Sequence, residues 1–283
     1  MNAEGPIAVL GLGLIGGSLA RDLAAGGATV WGYDTDATTM RRARRSGAVA
    51  ATIGDDLERL AGARTVVFAV PVDEAPVLME RARPFLDGAA LVTDVGSIKR
   101  RIVAHALALG LGRTFVGSHP MAGDRHAGWT ASRRGLFAGA RVDLCANATA
   151  TPAAWRRARA MWRRVGARPA ACDATAHDAE VAVSSHLPQL LALALAGTLA
   201  ARGISRSRLG PGGRDMTRLA GSSPDVWAAI VDDNAAEVLV ALDACGSMLG
   251  AIRGAVAAHD RAAVRDVLTH ARQWLEAGEG RRT

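Results

Sequence analysis

Short apolar runs recur along the first half of the chain, at 7–13 (IAVLGLG), 28–34 (ATVWGYD), 65–71 (TVVFAVP), 90–96 (ALVTDVG), 114–120 (TFVGSHP) and 140–146 (ARVDLCA). Each reads as a strand, because apolar and β-branched residues run together between turn residues. Helix-like segments at 16–25, 37–46, 73–83 and 97–109 separate the first five. Strands alternating with helices of this length predict right-handed crossovers and a parallel sheet covered on both faces. After ARPAACDA (167–174) the β pattern stops, and 176–277 reads as helix with breaks at 205–215 and 220–225. The expected architecture is an α/β parallel-sheet domain followed by an all-helical one. The seam falls near Asp173, which gives domains 1–172 and 173–283.

Composition sharpens this picture only in places. The 283 residues are 49% hydrophobic but only 4% aromatic, and alanine is abundant. That favours closely packed helices over an all-β sandwich. The longest apolar run, Leu187 to Ala201, is broken by Pro188, Gln189, Gly197 and Thr198. It is also shorter than the ~20 residues a membrane span needs, so no membrane partner is expected. The first residues carry no basic and apolar signal segments, and the expected location is the cytoplasm. Cys145, Cys172 and Cys245 are far apart without a CxxC, and read as free thiols in a reducing compartment.

The formal charge of +7 raises nucleic-acid binding as a question. The excess is arginine, concentrated in MRRARRSG (40–47) and WRRARAMWRRVG (155–166). Arg156, Arg159 and Arg163 share one helical face, and Trp155, Ala158 and Trp162 share its neighbour, the pattern of an amphipathic surface helix. Lys99 is the only lysine, which points to a general arginine bias rather than a nucleic-acid patch. No nucleic-acid partner is expected. His105, His126, His259 and His270 have no second ligand at metal spacing, so no metal site is expected either.

The first run leads into Gly11-x-Gly13-x-x-Gly16 and then a helix. In a strand–loop–helix setting, Gly11 permits the tight turn and Gly13 admits a pyrophosphate. Gly16 lets the helix pack closely, and the helix N-terminus offers N–H groups to the phosphates. Asp34 ends the second strand 18 residues after Gly16, placed to accept from an adenosine ribose and to repel a 2′-phosphate. The cofactor expected is therefore NAD, although Arg41, Arg42 and Arg44 follow closely. Leu14 and Ile15 inside the loop, with Val70 and Pro71 at the end of the third strand, belong to the same expected site. The fold class is a Rossmann-type α/β domain followed by an all-helical domain.

Ligands of an open parallel sheet gather at the carboxyl ends of its strands. Two segments arrive there, TDVGSIK (93–99) and GSHPMAG (117–123), delivering Ser97 and His119. An imidazole at that place can take a proton from an alcohol as hydride leaves its carbon. Ser97 could hydrogen-bond either that imidazole or the alcohol oxygen. Asp94 is placed to cap the following helix, and Lys99 to sit near substrate or serve the structure.

GLGLIGGSL, TDVGSIK, GSHPMAG, HDAEVAVSSHLPQ (177–189) and RDMTRLAGSSPDVW (214–227) occur in this order across almost the whole chain. Together they resemble the prephenate/arogenate dehydrogenase family of tyrosine biosynthesis. The resemblance implies a Rossmann domain, a helical domain that forms a homodimer, and oxidative decarboxylation of prephenate to 4-hydroxyphenylpyruvate. By that resemblance His119 is the base for the C4 hydroxyl and Ser97 its partner. Arg218 binds a substrate carboxylate, as a fixed guanidinium suits. Ser185 and Trp227 line the side-chain pocket, and His177 lies in its neighbourhood. The family often reads SHLPH where this chain has Ser185-His186-Leu187-Pro188-Gln189, so a neutral amide, Gln189, stands where the family contacts the substrate side chain.

The nearest rival substrate is arogenate, or an amino-substituted prephenate analogue of a secondary pathway. Its ammonium calls for a nearby carboxylate. The helix from Pro188 to Arg202 contains no acid, which leans towards prephenate, while the amide of Gln189 could accept from an ammonium. β-Hydroxyacid dehydrogenases share the architecture but use a helical lysine, and the helical half here has none. A basic NAD-binding regulator is the non-enzyme rival; salt-dependent nucleic-acid binding would mark it.

Overall fold

A computed structural model describes residues 5–124 and 126–279. The chain divides into two compact units, residues 1–235 and 236–283. In the first, a five-stranded parallel sheet is built from β1 (Ile7–Leu10), β2 (Val30–Tyr33), β3 (Ala51–Thr52), β4 (Thr65–Phe68) and β5 (Leu91–Asp94). The spatial order is β3-β2-β1-β4-β5, so the chain reverses direction across the sheet beside β1. In such a sheet the crevice for a ligand lies at that reversal, outside the strand ends. β1 and β4 are fully buried, as expected of central strands covered on both faces. Four crossover helices do the covering: α1 (Leu14–Ala25), α2 (Ala37–Arg45), α3 (Glu74–Ala82) and α4 (Arg100–Ala108).

The single parallel sheet expected through residue 146 gives way here to two sheets. β6 (Gly117–Pro120), β7 (Arg141–Cys145) and β8 (Arg168–Ala171) form a mixed three-stranded sheet, with β6 antiparallel to β7 and β7 parallel to β8. A parallel bridge between Val92 and Phe115 joins it to β5. The reversal follows from the connection: β6 reaches β7 through the loop 121–140 rather than a crossover helix. α5 (Pro152–Arg164) connects β7 to β8, capped by the Thr151 hydroxyl on the N–H of Ala154. Trp162 and Ala158 are buried in the core while the arginines of the helix face outward, as its periodicity predicts.

α6 (Ala174–Val181) begins under an Asp173 cap that accepts from the N–H groups of Thr175 and Ala176. It runs through a π-helical turn at 182–186 into α7 (Leu187–Ala201). α8 (Pro211–Met216) and α9 (Pro224–Asp233) complete the unit. Ile98, Val181 and Ile230 form a small core with Val72 and Trp227, which fastens α6 and α9 beside the end of β5.

The second unit consists of α10 (Ala235–Ala257), from its second residue, and α11 (Arg261–Glu279). Leu239, Val240, Met248, Leu249, Val256 and Leu268 are exposed along them, and Trp274 is 78% exposed. The expectation that no helix is long and apolar enough to span a membrane needs correcting. The continuous helix 174–201 and α10 both reach that length and hydropathy. The first of these nevertheless buries His177, Asp178 and Gln189 in hydrogen bonds within the protein, which is how a core helix is used.

Candidate active site

The glycine loop turns as its sequence requires. Gly11 has φ +92°, and a Cβ on Gly16 would meet the Gly11 carbonyl oxygen at 1.9 Å. Only glycine fits either position. Gly13 differs: a Cβ there meets nothing within 4 Å. Space kept clear above a helix N-terminus with no side-chain cap is what a pyrophosphate needs. The residues present therefore fit a dinucleotide. Gly17, which the glycine pattern did not single out, is tight too, with the Leu12 carbonyl and the Ser132 side chain at 2.9 Å from a Cβ.

Asp34 sits where its spacing placed it, in a cavity of about 510 Å³ lined also by Gly11, Gly13, Val70, Pro71 and Arg81. Its carboxylate accepts from the N–H of Leu12 at 2.8 Å and of Asp36 at 2.9 Å. One acid thus fixes the loop and faces the expected ribose position. Arg41 reaches back to the Thr38 hydroxyl and is not part of the cavity wall.

A second cavity of about 510 Å³ shares Gly13, Val70 and Pro71 with the first and continues past Leu14, Ile15, Ser97, His119 and Trp227. The expected base and the expected cofactor loop therefore line one cleft. The Ser97 hydroxyl is buried there without a hydrogen-bond partner. His119 bonds elsewhere: its Nδ1 lies 2.9 Å from Nε2 of His177, whose Nδ1 lies 2.8 Å from Oδ1 of Asp178. The two imidazoles meet edge to face.

This chain of groups fixes protons. Asp178 also accepts from the backbone N–H of Lys99 and Arg100, each at 2.8 Å. Burial pushes its carboxyl up, but the hydrogen bonds from His177, Lys99 and Arg100 outweigh that and hold it below the ordinary carboxylate value. An ionised carboxylate only accepts, so His177 donates from Nδ1 and presents a lone pair at Nε2. His119 must then donate from Nδ1, which leaves its Nε2 unprotonated. Desolvation, reinforced by the positive charge of Lys99, holds the His119 imidazole well below the usual histidine value. A neutral imidazole with a bare Nε2 is a base.

Lys99 and Asp94 are not substrate groups. The ammonium is fully buried and donates to Asp94 at 2.5 Å and to the Ser118 carbonyl at 2.9 Å. Asp94 accepts in turn from the N–H of Ser118 and Gly96. The pair ties the end of β5 to β6, the strand that carries His119.

A larger cavity, about 810 Å³, adjoins the cleft through Gly123, Asp124 and Ser222 and is lined by Arg206, Thr217 and Arg218. Arg218 is exposed at its wall. Gln189 is 2% exposed; its amide donates to the Leu219 carbonyl at 2.8 Å, and its oxygen accepts from the Ser222 hydroxyl at 3.3 Å. It lines neither cavity and holds the turn that carries Arg218. Ser185, in the π-helical turn, is exposed and lines neither cavity. Sequence reasoning passed over Asp178, His186 and Asn234. Asn234 donates to the Asp178 carbonyl at 2.8 Å, and its side-chain nitrogen lies 3.3 Å from His186 Nδ1. His186 packs edge-on against Trp227. The visible signal was the paired His177-Asp178, two adjacent polar residues in α6 ahead of the apolar run of α7.

A family model described as "Prephenate dehydrogenase, nucleotide-binding domain" matches residues 19–170, and one described as "Prephenate dehydrogenase, dimerization domain" matches 173–270. The chain belongs to the prephenate dehydrogenase family. The glycine loop, just ahead of the first match, completes the family's NAD-binding domain. A "Cyclohexadienyl dehydrogenase" of Zymomonas mobilis is 32% identical over 266 residues, 90% of this chain and 89% of that protein. A "Prephenate dehydrogenase" of Bacillus subtilis is 31% identical over 245 residues, 84% of this chain; the chain spans 66% of that relative's length. Among solved structures, prephenate dehydrogenase of Aquifex aeolicus in complex with hydroxyphenyl propionate and NAD+ superimposes with a TM-score of 0.90. It is 25% identical over 96% of this chain and 98% of that one. The family and its members make this chain an oxidoreductase of the dehydrogenase type, with a dimerization domain in its helical half.

Proposed function

We propose that the protein oxidatively decarboxylates prephenate to 4-hydroxyphenylpyruvate, with NAD as oxidant, in tyrosine biosynthesis. The observation that carries this reading is the chain from Asp178 through His177 to His119, which ends in the cleft lined by the glycine loop. The glycine loop and Asp34 would hold NAD, which would supply the hydride acceptor for C4. His119 takes the C4 hydroxyl proton in the same event, aided by its neutral state. The unpartnered Ser97 hydroxyl in the same cleft bonds the C4 oxygen, which also satisfies a buried polar group. The ring carboxylate then leaves as CO₂, its bonding pair completing the aromatic ring.

Arg218 pairs with a substrate carboxylate from the wall of the large cavity. Trp227 forms an apolar wall beside the ring. Gln189 acts on substrate through the Arg218 turn, whereas Ser185, exposed and outside both cavities, has no part in this reading. We put the functional division at residues 172–173; one family match ends at 170 and the other begins at 173, which supports that reading. A cytoplasmic homodimer is the assembly proposed, and the exposed apolar residues of 236–283 give it a surface.

One observation favours the rival substrate. Asp124 lines both cavities, so the walls hold a carboxylate of the kind an arogenate ammonium calls for. Its charge is partly answered by Arg133 at 2.9 Å. The deciding experiment measures NADH formation with prephenate and arogenate side by side. A kcat/KM higher for prephenate is the expected result. Preference for arogenate transfers the reading to the amino substrate, and turnover of neither removes it.

A further inference from the structure

Cys145 ends β7, and Cys172 directly follows β8. Those strands pair in parallel register from Arg141–Arg168 to Leu144–Ala171, and the N–H of Cys172 continues the ladder to the Leu144 carbonyl at 3.0 Å. One further step of the register places the two cysteines side by side. Their Sγ atoms lie 2.8 Å apart, and both are free thiols. Adjacent strands run about 4.8 Å apart, within the Cα separation a disulfide spans. Cys145 and Cys172 are free, as expected, but lie side by side although they are far apart in sequence.

We propose that Cys145 and Cys172 are a reversible dithiol–disulfide site whose oxidation slows the enzyme. The oxidant required is a peroxide. The Cys172 thiolate attacks one peroxide oxygen and breaks the O–O bond, giving a sulfenic acid and water. The Cys145 sulfur then attacks the sulfenic sulfur, forming the S–S bond and releasing the second water. In sum, two thiols and one H₂O₂ give one disulfide and two waters, and an external dithiol restores the pair.

The asymmetry of the pair suits these roles. Cys172 is half-buried and reachable, whereas Cys145 is fully buried. The sulfur–sulfur contact with Cys145 is the main influence that lowers the Cys172 thiol, against burial and with Arg141 helping. The same contact raises the Cys145 thiol, and burial adds to this. A more acidic, accessible sulfur reacts first, and its buried neighbour resolves it.

The position gives the bond its consequence. Cys145 pairs with Gly117 at the start of β6, two residues before His119. Cys172 immediately precedes Asp173, the cap of the helix that carries His177 and Asp178. A disulfide draws the sulfurs from 2.8 Å to about 2.05 Å. It thereby pulls at the bases of the two segments that meet in the His119–His177 bond. Misalignment on the order of 1 Å costs up to about 100-fold in turnover.

The activity readout rests on the function proposed above; the chemical readouts do not. The experiment titrates purified protein with hydrogen peroxide, using a Cys245→Ser background so that only the pair remains. Expected are loss of both thiols, a two-proton mass loss, and a linked peptide joining Cys145 to Cys172. NADH formation falls about tenfold or more in kcat, with NAD affinity unchanged, and dithiothreitol restores it. Cys172→Ser and Cys172→Ala, which retain the buried partner, stay active and lose the peroxide response. Retention of both thiols, or oxidation to sulfinic acid without a linked peptide, overturns the site. A linked peptide without loss of turnover overturns the switch, and a basal failure of turnover with either substrate, the pair still linking, counts against the function instead.

Discussion

The glycine loop and the His119–His177–Asp178 chain line or border one cleft, yet they are made of different material. The loop is backbone. Its function is space: φ at Gly11, closeness at Gly16 and emptiness at Gly13, all within six residues of sequence. The histidine chain is side chain, assembled from β6 and α6 across 58 residues, and anchored on the first turn of α4 some 79 residues from Asp178. The loop tolerates no added atom at Gly11 or Gly16, but needs no particular proton. The chain needs one specific set of protons, and would pass a test of shape while failing one of chemistry.

The largest separation of the two should come from His119→Ala. Turnover is expected to fall by roughly 10²–10⁴-fold with NAD affinity unchanged, read by steady-state kinetics and cofactor titration. A variant with near-normal kcat would remove His119 as the base.

Asp178→Asn comes next. The amide can donate to His177 and turn the relay round, so His119 would no longer hold its lone pair at Nε2. We expect a fall in kcat of about 10²-fold or more. A pH profile distinguishes this from simple loosening. Wild-type kcat/KM should stay level as pH falls through about 6.5, because burial and Lys99 depress the His119 imidazole. The variant's acid limb should move relative to it. The same depression has a stability consequence: folding disfavours the His119 proton, so its contribution is complete above the unfolded value and declines as pH falls below it. An acid limb at or above pH 6.5 in the wild type would contradict the neutral-base assignment.

Arg218→Ala should raise KM by roughly 10- to 150-fold, the range for a lost charge-assisted bond, and leave cofactor affinity alone. Gln189→Ala should follow it at smaller amplitude, since it removes the support of the same turn. An effect of Gln189→Ala confined to kcat would disconnect it from Arg218.

The mildest and most discriminating pair lies in the loop itself. Gly13→Ala should fold with a wild-type Tm and bind NAD more weakly, because its Cβ enters only the cleared space. Gly16→Ala should lose about 1–3 kcal/mol of stability, as an overpacked position does. Equal behaviour of the two variants in thermal unfolding would mean that the space above Gly13 is not reserved.

What could be read from the sequence follows the same division. The strand–loop–helix cofactor site was legible because its parts are consecutive and each glycine has a local reason. The arrival of Ser97 and His119 at strand ends was legible from the same rule. Hidden were contacts that no local period encodes. β3 has only two residues, Ala51 and Thr52, too few for an alternating pattern. The antiparallel turn of β6 onto β7 depends on a loop, not on the apolar run. His177 was visible as a residue but not as a partner, and Cys145 and Cys172 became neighbours only through the pairing of β7 with β8. Gln189, expected at the substrate side chain, supports a turn instead, and Asp124, which the sequence did not single out, lines the cavities.

The carboxylate of Asp178 accepts at once from His177 and from the first N–H groups of α4. It is therefore written in one half of the gene and read in the other. An exchange of halves between family members, joined near residue 172, would bring its own relay to a foreign helix start. Such a hybrid can inherit a sound cofactor cradle and a sound substrate wall and still be silent, if the new acid does not reach the old helix. That oxygen pair is thus one point where the halves must match, beside the His119–His177 contact and the Ile98–Val181–Ile230 core.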